Sequence, residues 1–83
     1  MLFHLMRVEL DEDGRVVART DTQPLYELRE DAMVMAEFEA ARCYSEYCYN
    51  ADSDCWWSRD RRGRRFRFEV QPVTAADAIQ QVA

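Results

Sequence analysis

Lysine is absent from this chain, and all eleven basic residues are arginine. Histidine occurs once, glycine and proline twice each, and cysteine three times. With only Gly14 and Gly63, a glycine-rich phosphate loop is excluded. Neither Ser nor Cys sits in a recognisable nucleophile elbow, and the sole histidine, His4, shares strand parity with Met6, which marks it as a strand-end core residue rather than a base. No apolar run approaches the length of a membrane span. The start, MLFHLMRVEL, carries no basic leader, long apolar segment or small-residue cleavage site, so a cytoplasmic setting is expected, with the cysteines reduced.

What is present points to one folded domain, residues 1–83: the hydrophobic share is 48% and the aromatic share 12%, both too high for a disordered chain. Net charge is −5, but residues 59–67 hold six Arg and one Asp, a local +5, which leaves −10 on the rest. A basic loop on an acidic body is the electrical outline. Arginine in place of lysine favours forked and stacking contacts over point charges.

From Phe3 to Leu10 apolar and polar residues alternate, with Met6, Val8 and Leu10 on one face, as in a half-buried strand. Asp13-Gly14 is a hairpin signal, and residues 15–20 read as the return strand. Pro24 suits either the first turn of a helix or a connecting loop, with the helix then starting near Glu30. From Asp31 to about Tyr47 the spacing predicts a helix in which Ala32, Met33, Ala36, Ala40, Cys43, Tyr44 and Tyr47 share one arc. Val34 and Phe38 lie on its other side and form a candidate dimer contact. The polar run 49–54 ends the helix, and a second hairpin follows with DRRG as its turn. A two- or four-residue loop would place Cys55, Trp57, Phe66 and Phe68 on one side and Trp56, Arg65 and Arg67 on the other; a three-residue bulged loop exchanges Trp56 for Trp57. Thr74 followed by Asp77 resembles a weakened capping box, with which Ala78, Ile79 and Val82 could give a short C-terminal helix. The expected fold is α+β, a ββαββ two-layer antiparallel sheet with one main helix packed on one face.

Metal and cofactor motifs are incomplete. Cys43, Cys48 and Cys55 are spaced C-x4-C-x6-C without a close fourth ligand, and a buried Cys43 and Cys55 with a more exposed Cys48 is the better reading. Asn50, Asp52 and Asp54 match the first ligands of a calcium loop, but its glycine and final glutamate positions hold Cys55 and Arg61. No metal, cofactor or enzymatic activity is expected.

The arginine hairpin, by contrast, offers a surface. Arg59, Arg61, Arg62, Arg64, Arg65 and Arg67 with Trp56 form a candidate partner-binding set, because Arg and Trp are enriched among binding hot spots. The same residues could contact phosphates while Trp56 stacks on a base, although the acidic remainder opposes a polyanion. In the plainest alternative, Arg65 and Arg67 lie over Trp56 as cation–π partners and the loop is merely solvated. The acidic body has a reading of its own: small acidic phage inhibitors such as anti-CRISPR proteins occupy cationic nucleic-acid channels, and this chain is similar to them in size, charge and layout. Glu30, Asp31, Glu37, Glu39, Asp52 and Asp54 would then replace phosphates. The expected function is therefore binding to another protein, most concretely inhibition of a nucleic-acid-processing complex, with a homodimer as a further partner state. A short RNA- or DNA-binding module and a small metal protein or enzyme are the alternatives.

Overall fold

The alternating N-terminal residues form β1 (Phe3–Leu10), which reverses at Gly14 into β2 (Val16–Tyr26). The computed structural model describes residues 1–42 and 46–73. The remaining elements are α1 (Arg29–Arg42), β3 (Glu46–Asn50), β4 (Cys55–Arg59) and β5 (Arg65–Pro72). The strands form one sheet in the order β2-β1-β5-β4-β3, and every neighbouring pair is antiparallel. This is the expected α+β two-layer fold with one strand more than ββαββ provides.

Three expectations about local structure are corrected. First, α1 ends at Arg42, and Tyr47 belongs to β3 rather than to the helix. Glu46–Asn50 reads EYCYN, whose aromatic and small apolar residues suit a strand as well as they suit the helical arc. Second, β2 runs on through Pro24 to Tyr26. Proline is tolerated there because β2 is an edge strand, so the missing N–H interrupts no inner ladder. Third, α1 covers the side of β1 that bears Leu5, not the side of Met6, Val8 and Leu10. On that other side Val8 is nevertheless fully buried, flanked in register by Arg19 and Arg67, which both pair with Glu69. Cys43, Tyr44 and the expected C-terminal helix at Thr74–Val82 lie outside the described residues.

The helix is held close to the sheet by its smallest side chains. Ala32, Ala36 and Ala40 recur every four residues on one stripe and are fully buried. Below them Leu5, Phe66 and Phe68 form the core, with Tyr26, Met35, Trp56 and Val70 packed around it. Acidic Glu30 and Asp31 in the first turn and Arg42 in the last complement the helix dipole.

Candidate interaction surfaces

The two β-hairpins at one end of the sheet close with a common turn, D-x-x-G-R. In the first, the Asp11 amide donates to Arg15 O at 2.9 Å and Gly14 N donates to Asp11 O at 3.1 Å. The Asp11 side chain also accepts from the amides of Asp13 (2.9 Å) and Arg15 (2.8 Å). The second repeats this set: Asp60 N to Arg64 O at 3.0 Å, Gly63 N to Asp60 O at 3.1 Å, and Asp60 Oδ1 accepting from Arg62 and Arg64 N, both at 2.9 Å. Gly14 and Gly63 have φ of +82° and +84°, the left-handed region that this turn demands and that costs glycine nothing.

The second turn takes up five residues, Asp60 to Arg64, between the paired Arg59 and Arg65. That odd number sets the side-chain parity. Trp56 pairs with Phe68 on the helix side, and Trp57 pairs with Arg67 on the opposite side. The expectation of an outward Trp56 under Arg65 and Arg67 is thus corrected, and the exchange foreseen for a three-residue bulged loop is the one observed, with residues 61–63 inside the Asp60–Arg64 closing pair. Trp56 is half-buried, with the Tyr47 and Tyr49 rings at 6.2 and 5.6 Å, so its ring is not displayed on an open face for base stacking. Instead it is Phe66 that meets guanidinium groups, those of Arg7 and Arg64, each 5.8 Å from the ring centroid.

Most arginines of the hairpin are already engaged. Arg59 donates to Glu46 Oε2 at 2.6 Å. Arg64 Nε donates to Asp60 Oδ2 at 2.7 Å, and its guanidinium lies 4.0 Å from Glu9. Arg65 Nη2 reaches across to the first turn and donates to the carbonyls of Asp11 and Glu12, both at 2.9 Å. Arg67 Nε stands 3.3 Å from Glu69 Oε2. Arg61 and Arg62 at the tip are exposed and make no ion pair among the described residues. Partial desolvation pushes the Asp60 carboxyl up, but the Arg64 guanidinium, the amides of Arg64 and Arg62 and the Arg64 charge outweigh it and hold it below the usual aspartate range.

On the side away from α1, Leu10, Cys55, Trp57, Arg65 and Arg67 line a shallow groove of about 230 Å³. Trp57 is the residue that sequence reasoning assigned to the covered side, and the loop's residue count was the signal for its true placement. Cys55 is buried and Cys48 exposed, as expected; both are free thiols. Cys48 lies on β3 and not on the helix. His4 is buried, as expected, with Nδ1 3.4 Å from Asp21 Oδ2.

The solvent side of α1 has the opposite sign. At 100° per residue Val34 and Phe38 stand about 160° from the centre of the alanine stripe, and they are 62% and 54% exposed. Glu30, Asp31 and Glu37 surround them, exposed and without an ion pair among the described residues. Other acids of the body are neutralised: Glu39 lies 3.7 Å from Arg42, and Asp54 pairs with Arg29 and accepts from the Tyr49 hydroxyl. That hydrogen bond is the main reason the Tyr49 hydroxyl holds its proton more firmly than usual. Compared with protein-family models, curated proteins and solved structures, the chain matches none of them.

Proposed function

We propose that this chain performs no chemistry of its own and acts by binding another protein, through the solvent side of α1. The observation that carries this reading is the exposed pair Val34 and Phe38 set among Glu30, Asp31 and Glu37. An apolar centre including an aromatic, rimmed by charge, has the anatomy of a protein interface. The rim selects a basic partner, and a second copy is disfavoured because like charges would be apposed. An inhibitor that sits on the cationic nucleic-acid channel of a larger complex is the most concrete form of this activity. Arg61 and Arg62 support the rival, a short contact to RNA or DNA.

The two readings respond to different substitutions. Val34→Ser/Phe38→Ser removes the apolar centre, and Arg61→Ala/Arg62→Ala removes the two exposed arginines at the hairpin tip; thermal unfolding checks that both variants remain folded. In co-purification from the source cell's extract, the helix variant should recover at least tenfold less partner, since a hot-spot residue contributes about 2 kcal/mol. The hairpin variant should recover it undiminished. Loss in the hairpin variant alone, together with salt-steep binding of a single-stranded oligonucleotide by the unaltered chain, would transfer the function to the arginines.

A further inference from the structure

The sheet has two edges, and among the described residues only one is protected. Along β2, Pro24 removes a donor, the pairing with β1 shifts register between Phe3 and Leu5 and between Glu9 and Leu10, and Arg19 and Asp21 add charge. These are the features by which natural edges resist further pairing. β3 carries neither proline, glycine nor bulge: its five residues are all exposed and pair with β4 in unbroken register from Glu46↔Arg59 to Asn50↔Cys55. Among the described residues no strand pairs with its outer side.

We infer that β3 docks a second copy of this chain, strand to strand and antiparallel, about a two-fold axis at Cys48. Three observations select a copy as the occupant. The first is register: with Cys48 opposite its counterpart, all five residues find partners, Tyr47 facing the other chain's Tyr49 and Glu46 facing its Asn50. The second is the aromatic content. Tyr47 and Tyr49 lie on the helix side against Trp56 and are 49% and 43% exposed, so their open flanks would be covered by tyrosine from the other chain. The third is charge. Glu46 is paired with Arg59 and Asp54 with Arg29, so two copies of this edge meet without the repulsion that the α1 face would impose. A five-residue strand pair is small, which places the dimer among weak associations.

Cys48 gives the test, because it is exposed on the side away from the helix and its replacement leaves the core untouched. Sedimentation equilibrium from 10 μM to 1 mM under reducing conditions should show the unaltered chain passing from monomer to dimer. Cys48→Lys, which sets two ammonium groups against each other at the axis, should raise the dissociation constant at least tenfold with an unchanged melting temperature. In a Cys43→Ser background, mild oxidation at 200 μM should yield a dimer whose linked peptide is Cys48–Cys48. A monomer throughout the range overturns the inference, as does a dimer that survives Cys48→Lys. A dimer that Val34→Ser/Phe38→Ser abolishes and Cys48→Lys leaves intact would place the contact on α1, whereas loss of partner recovery in the helix variant with dimerisation intact keeps the two surfaces separate.

Discussion

Asp11–Arg15 and Asp60–Arg64 are reversals with the same hydrogen bonds, the same left-handed glycine and opposite charge. In both, the first aspartate accepts from two amides and the glycine takes the strained position, so the two middle residues contribute only their side chains. One turn fills them with Glu12 and Asp13, the other with Arg61 and Arg62. The comparison separates what builds the turn from what decorates it. It also explains why a run of six arginines is tolerated: the turns stand side by side because β1 neighbours β5, and Arg65 binds the carbonyls of the acidic one.

The comparison can be broken at its link, at its glycines and at its carboxylates. The largest effect is expected from Arg65→Leu, which removes two charge-assisted bonds between the turns and should cost about 2 kcal/mol in urea unfolding, with the m-value unchanged. A cost below about 0.5 kcal/mol would mean that the turns are independent. Gly14→Ala and Gly63→Ala come next. An added Cβ meets nothing within 4 Å at either site, so only the backbone conformation is charged, about 1 kcal/mol each. Melting temperatures that differ by more than a few degrees between these two variants would show that the turns are not equivalent.

The smallest effect concerns acid. The carboxyl of Asp60 titrates below the free value of 3.8, so it contributes stability that is present above that pH and lost as pH falls through the folded value. Asp60→Asn should therefore reduce the stability difference between pH 6 and pH 2. Arg15, the counterpart of Arg64, makes no side-chain bond to its turn aspartate among the described residues. A stability difference that Asp60→Asn leaves unchanged would remove the Asp60–Arg64 contact as its source.

Local signals in the sequence carried the hairpin positions, the alanine stripe and the exposed placement of Val34 and Phe38, because each depends on neighbours within a turn or two. Features that depend on strand order were not legible. That Arg65 bonds to Asp11 follows from β5 lying beside β1, which residues 54 positions apart do not announce. β3 was hidden because Tyr47 fits a helical arc and a pleated strand equally well, and five residues are too few to separate periods of 3.6 and 2. Trp56 and Trp57 exchanged sides on the length of one loop, and Pro24 looked like a helix opener because nothing local marks an outermost strand. The set of arginines was visible, but not which of them are satisfied: the partners of Arg59 and Arg65 lie on the next strand and in the first turn, whereas those of Arg64 and Arg67, Asp60 and Glu69, are close in the chain but chosen by the local backbone geometry.

If β3 pairs two copies as inferred, the proline-bearing, register-shifted margin at β2 also limits how many chains can join. A sheet that accepts company on one flank alone reaches completion with two members, since the recruit brings its own closed flank to the outside. On the inferred pairing, such a protein would be concentrated without lengthening into fibres, even though among the described residues its tyrosine-rich edge strand has no neighbour on its outer side.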